Sequence, residues 1–323
     1  MLHCKKNTVL WMCLFSAALL VCGRPADVSA KQKSWNKIVV SEIKNSEDGG
    51  GYSTMRVTDA YPQSSWEGME KAWSWSEEDG IVIDLNEARP SFCSSACYMM
   101  LLKSLSVWDE KGVIGEEAWT ALRPYTMEDM EYAIQDDGIG CWGYANANGP
   151  GIAMLVKRLN AGRNYYIGGR SEYASAAKYR KAWNKAKKGD FLKIFWNRKI
   201  GRDESGHQVI FMGRKRSYVD GVRDDLIYYW SSQGGTDGYG VTSCRASKIR
   251  RAVLTKITRP AAFADAMKRL PPRRKNKWLA SLLKKNVSVR TMKKKVLGTV
   301  LKYPSWTNEI DVRQGEDYHR KNG

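Results

Sequence analysis

Apolar positions change period along the chain. From residue 64 they recur at helical spacing, and the pattern predicts helices over 64–75, 94–105, 116–122, 126–134, 152–159 and 171–187. Ser64-Ser65-Trp66-Glu67 has the form of a capping box at the first of these, and Thr126 opens the fourth with Glu128 and Asp129 in its first turn. Residues 80–85 form a short apolar run that predicts a strand. Residues 49–51 and 136–151 are rich in glycine or asparagine and predict loops. After residue 190 the period shortens, predicting strands over 190–196, 207–212, 226–232 and 249–257. A helical half followed by a strand-rich half predicts an α+β fold. A helix over 261–270 is expected to stop at Pro271-Pro272.

The first thirty residues follow a different order. Lys5 and Lys6 precede an apolar run over 8–22, and Val28-Ser29-Ala30 supplies small residues after it. This is the order of a secretory signal peptide with cleavage near Ala30. The run is shorter than the ~20 residues of a spanning helix. Lipoprotein processing at Cys22 is the lesser alternative, because Val21 fits that pattern poorly. The organisation expected is a signal peptide (1–30), a main domain (31–258) and a basic, partly helical extension (259–323).

The chain has 323 residues and a formal net charge of +19. Residues 1–30 carry +2, residues 31–244 are neutral with 28 basic and 28 acidic side chains, and residues 245–323 carry +17. The charge therefore belongs to the extension. Its spaced apolar residues, among them Trp278, Leu279, Leu282, Leu283, Val296, Leu297, Val300 and Leu301, fit basic amphipathic helices. Such helices would bind an anionic envelope polymer or a membrane surface, or else pack on the body as a solvated basic face. Nucleic acid is a poorer partner for an exported chain, and none of its recognition patterns is present.

Loss of Cys4, Cys13 and Cys22 with the signal leaves Cys93, Cys97, Cys141 and Cys244, enough for two disulfides in an oxidising compartment. No metal site or cofactor is expected. Of three histidines, His3 leaves with the signal and His319 lies near the C-terminus. That leaves His207, at the start of the strand Gly206-His207-Gln208-Val209-Ile210-Phe211, held by a sheet yet open to a cleft. Cys93 stands at the expected start of a helix, where free N–H groups and the helix dipole favour thiolate. A helix-start Cys followed by a strand His is the order of a papain-type nucleophile and base. The structural alternatives are a disulfide at Cys93 and a capping role for His207.

Cys93-Ser94, Lys188-Gly189-Asp190-Phe191 and Gly206-His207-x-Val209-x-Phe211-x-Gly213, in this order, resemble the motifs of NlpC-type cell-wall cysteine hydrolases. The resemblance covers about 85–240. It implies a papain-like α+β domain that cleaves amide bonds of peptidoglycan, as a stem-peptide endopeptidase or a muramoyl-alanine amidase. This chain departs from the family in Ser-Ser-Ala after the cysteine and in the long insertion before the Gly-Asp strand. The family orients its histidine through a polar residue on the next strand. Here Gln233 is the first candidate for that role and Ser232 the second. Trp142, Asn146 and Asn148, in the loop after Cys141, are candidates for gripping a glycan or stem peptide; the alternative is a structured turn whose asparagines cap the next helix. The rival functions are a disulfide-bonded envelope-binding protein without activity and a general secreted cysteine protease.

Overall fold

The five residues Phe191–Phe195 are all buried, which a strand achieves only when both faces of its sheet are covered. The computed structural model describes residues 34–53, 62–124 and 138–297, and it shows how that cover is built. The segment expected to be a signal peptide, the helix expected over 126–134, His319, Val300 and Leu301 lie outside the described residues.

The chain begins with α1 (Trp35–Asn45), β1 (Gly49–Gly50) and α2 (Pro62–Lys71), followed by the hairpin β2 (Trp73–Ser76) and β3 (Gly80–Ile83). Next come α3 (Cys93–Trp108), α4 (Glu116–Leu122), α5 (Gly140–Asn146), α6 (Ile152–Leu159), β4 (Gly162–Gly168) and α7 (Ala176–Trp183). Strands β5 (Phe191–Phe195), β6 (Gly206–Lys215), β7 (Tyr218–Val219), β8 (Val222–Arg223), β9 (Leu226–Gln233), β10 (Gly238–Arg245) and β11 (Arg251–Ile257) follow. The described chain ends with α8 (Ala266–Arg269), α9 (Lys277–Ser281) and α10 (Val289–Val296). Seven strands form one sheet in the order β1-β10-β9-β6-β5-β11-β4, with every neighbouring pair antiparallel. The fold is mixed α+β with an antiparallel sheet.

Period-two alternation divides the sheet's side chains between two cores. Phe191, Ile210 and Trp230 join the helices α1, α3, α5 and α6 in the largest cluster. Leu192, Ile194, Val209, Phe211, Ile227 and Tyr229 face the other way, onto Tyr179 and Trp183 of α7. Helix α3 is buried from Ser95 through Leu102, as befits a helix that is apolar nearly all round. It packs against both β6 and β9.

Several sequence expectations need correction. The loop expected over 136–151 contains α5, every residue of which is buried. Gly140, Gly143 and Asn146 are poor helix formers, but burial against α3 and α6 outweighs propensity. The helix expected to reach residue 75 ends at Lys71, and Trp73–Ser76 turns back as a strand. The helix expected over 171–187 is a short 3-10 turn (Arg170–Glu172) followed by α7. Strands β4 and β10 were hidden by glycine and polar residues, and the sheet supplies their pairing.

The described part of the basic extension also packs inward. Phe263, Leu270, Trp278, Leu279 and Leu282 belong to the largest core, and Met292 and Val296 join Phe195 and Val253 in a third cluster. Residues 259–297 therefore share a core with the expected catalytic domain. Their apolar stripe is spent on that packing, while Lys284, Lys285 and Lys294 stay exposed. Among the described residues, no helix is long and apolar enough to cross a membrane.

Candidate active site

Cys93 is the first residue of α3. The turn before it is tightly held: Phe92 N–H donates to Ser95 Oγ at 2.9 Å, and Ser95 Oγ donates to the Phe92 carbonyl at 2.8 Å. The first-turn N–H groups of a helix have no intrahelical acceptor, so they and the helix dipole favour negative charge at Cys93. Cys93 and Ser94 are half-buried at this end of the helix, while Ser95 and Ala96 are packed inside.

His207 sits near the start of β6. Continuing the register Ile210↔Trp230 by three residues brings His207 opposite Gln233 on β9. The side chains meet there, with His207 Nε2 and Gln233 Oε1 3.2 Å apart. Gln233 Nε2 donates to the Gly240 carbonyl at 3.2 Å, which fixes which end of the amide faces the imidazole. Because Oε1 can only accept, the ring proton belongs on Nε2 and Nδ1 is left for exchange with the thiol. Tyr229 meets the imidazole edge-on, 5.8 Å between centroids, and limits its tilt.

Cys93 lies within hydrogen-bonding reach of His207. Burial pushes its thiol pKa up, but the charge of His207 and its hydrogen bond, then the charge of Lys193 and the Gln208 backbone N–H, pull it down. The balance lowers the thiol from 9.0 to about 7. Burial disfavours the imidazolium as well, yet the Cys93 charge and the bonds to Cys93 and Gln233 raise the His207 pKa above its ordinary value. Near neutrality the pair can thus hold a thiolate beside an imidazolium. The other described cysteines differ. Burial raises Cys97 and Cys141, and pushes Cys244 up to about 12. All four are free thiols, so the two disulfides of the binding-protein reading are not formed.

No protein-family model matches the chain. No curated protein and no solved structure matches it either.

The remaining sequence candidates take other places. Ser232 is fully buried and donates to the Ser91 carbonyl at 2.9 Å, tying β9 to the segment that leads into α3. It braces the Cys93 turn instead of touching the imidazole, because alternation turns it to the opposite face from Gln233. Trp142 is 1% exposed, at the centre of an aromatic cluster with Trp66, Phe92 and Tyr98. Its ring offers no face to a sugar. Asn146 accepts from Ser94 Oγ at 2.7 Å, one residue from Cys93. Asn148 donates to the Gly201 carbonyl at 3.4 Å, within a loop whose Gly149 and Gly201 N–H groups share Glu204 Oε2. Asn146 thus braces the start of α3, and Asn148 ties its loop to Gly201. Among the described residues, no group of three or more His, Cys, Asp or Glu side chains is placed to hold a metal ion.

The sequence reading passed over Lys193. It is buried in the middle of β5, ion-paired to Glu204 at 3.0 Å, and its charge favours the Cys93 thiolate. A lysine inside the apolar stretch Phe191-Leu192-Lys193-Ile194-Phe195 was the available signal. The Gly-Asp pair turns out to be structural. Asp190 accepts from Asn36 Nδ2 (2.8 Å), the Lys187 N–H (2.7 Å) and Lys256 Nζ (2.5 Å), locking α1 to the sheet. Gly189 has φ +91°, and a Cβ there would lie 2.7 Å from the Asn36 carbonyl oxygen.

Proposed function

We propose that this chain is an exported cysteine hydrolase with a papain-like catalytic arrangement, cleaving an amide bond of peptidoglycan. The observation that carries the reading is the line Cys93, His207, Gln233, with the thiol pulled down to about 7 and the imidazole held by an amide oxygen. His207 takes the Cys93 proton, and the thiolate attacks the amide carbonyl. First-turn N–H groups of α3 stabilise the oxyanion that develops. Collapse of the tetrahedral adduct breaks the C–N bond as His207 protonates the departing amine, leaving a thioester on Cys93. His207 then removes a proton from water, whose oxygen attacks the thioester, and the acid product leaves as the thiol regains its proton. Gln233 positions the ring throughout.

The choice of peptidoglycan rests on the ordered motifs and on the export signal expected over 1–30. The exposed Lys284, Lys285 and Lys294 would supply attraction to an anionic wall polymer. The test is digestion of purified cell wall and defined muropeptides, with products weighed by mass spectrometry and casein as the control. Wild type should release a new amine and carboxyl pair from one linkage, and Cys93→Ala should release none. Activity retained in Cys93→Ala would overturn the mechanism, and turnover of casein with no release from wall would overturn the substrate.

A further inference from the structure

Away from Cys93, a cavity of about 640 Å³ opens where the ends of β4 and β11 meet the start of α10. Arg170, Arg198, Arg250 and Arg251 line it, with Glu172 as the one carboxylate. Cys93, His207 and Gln233 are not among the lining residues. Arg251 pairs with Phe195, and Phe195 with Gly206, so two strand spacings, roughly 10 Å, separate it from the residue beside His207. Val253, two residues along the same face as Arg251, packs in the third core cluster.

Arg251 differs from the other three arginines. Arg170, Arg198 and Arg250 are exposed on the rim, whereas Arg251 is 7% exposed on the cavity floor. Its Nε and Nη1 are fully buried and have no hydrogen-bond partner among the described residues. Glu172 does not neutralise it, being occupied by the Tyr166 hydroxyl at 2.9 Å and the Gly169 N–H at 3.0 Å. A guanidinium does not lose its proton in a protein, and a buried charge without a counter-ion is costly. A buried guanidinium in the lining of a basic cavity is suited to pairing with an oxyanion.

We infer that this cavity is a binding site for a phosphate group, with Arg251 as the floor contact and Arg170, Arg198 and Arg250 as the rim. Phosphate is favoured over a lone carboxylate because four guanidinium groups face a single acid, which rewards a multiply charged ligand. The volume exceeds what one phosphate needs and falls in the range of small-molecule sites, so the phosphate belongs to a larger ligand. Phosphomonoesters and phosphodiester-linked wall polymers share this chemistry.

The test is calorimetric titration of the full chain at low ionic strength with inorganic phosphate, glucose 1-phosphate, glycerol phosphodiester and acetate. Phosphate should bind saturably and more tightly than acetate. Arg251→Gln should weaken it about tenfold or more, since hydrogen bonds between charged groups are the strong ones. Arg198→Gln removes an exposed side chain, leaves folding intact and should produce a smaller loss. It keeps the proposal testable if Arg251→Gln does not fold. Preference for glucose 1-phosphate would support a soluble monoester, and preference for the diester a polymer. Absence of saturable phosphate binding, or binding unchanged in the folded variants, would overturn the proposal. Cys93→Ala should bind phosphate like wild type, which separates this site from the hydrolase reading.

Discussion

Replacing His207 by alanine should change the ionisation of Cys93 more than any other single substitution. In the native pair the thiol is lowered from 9.0 to about 7, against a burial penalty that works in the opposite direction. Two of the opposing influences, the imidazole's charge and its hydrogen bond, leave with His207. At pH 7 the native thiol is about half ionised, whereas a thiol titrating at 9 is about 1% ionised, so the thiolate population should fall roughly 50-fold. In the variant, burial still raises the thiol while the Lys193 charge and the Gln208 N–H still lower it, so 50-fold is the scale of the effect. Ultraviolet absorbance of the thiolate is the direct assay, with the Cys93→Ala spectrum subtracted to remove the other cysteines. Cys97, Cys141 and Cys244 are raised by burial and add no titration near pH 7. Alkylation by iodoacetamide gives a second readout with a smaller contrast, because the variant's thiolate, with the higher pKa, is intrinsically more nucleophilic and recovers roughly tenfold of the difference. A wild-type midpoint at or above 8.5, or a His207→Ala midpoint equal to wild type, would refute the assignment of the pair.

Other outcomes follow from the same geometry. Gln233→Ala should lower kcat for wall hydrolysis about 100-fold by freeing the imidazole to rotate, with KM little changed and the alkaline limb of the pH profile displaced to lower pH, because the bond to Gln233 helps hold the His207 pKa up. Wild-type hydrolysis should rise through pH 7 as the thiol ionises and decline at higher pH as the imidazolium loses its proton, because the Cys93 pKa is lowered and the His207 pKa raised. Asp190→Ala strands the Lys187 N–H, Asn36 and Lys256 around a buried position and should cost about 2–4 kcal/mol in denaturant unfolding. Trp142→Ala should cost about 3–5 kcal/mol, while Trp142→Phe should keep the KM for wall fragments. A selective KM effect in a stably folded Trp142→Phe would show that the ring reaches substrate after all.

Much of the site could be read from residue order. Cys93 starts a dense apolar helix, His207 opens an apolar strand, and Gln233 shares a face with Ser231 two residues away. These are local properties, and a periodic pattern carries them. The pattern could not say that Ser232 would brace the Cys93 turn through Ser91, because that bond joins residues 141 positions apart. Nor could it place Trp142. A ring in a glycine-rich stretch has the composition of an exposed loop until α3 and α2 close over it. Lys193 was visible only as an irregularity, and its meaning depends on where Glu204 and Cys93 come to lie.

By itself, the sequence determined the succession of periods, and with it the α+β class, the helix that starts at Cys93, the strand that carries His207 and the concentration of charge after residue 244. Apart from the charge, which composition alone reports, each depends on side chains three, four or two positions apart, a range over which the backbone's own geometry sets the neighbours. Tertiary structure alone decided which buried groups share an environment. It converted glycine-rich residues 140–146 into a helix and drew the apolar stripe of 277–297 into the core. It also brought three separate elements together so that a thiol near pKa 9 titrates at about 7. Burial energies and charge interactions act through space, and distance along the chain does not report them.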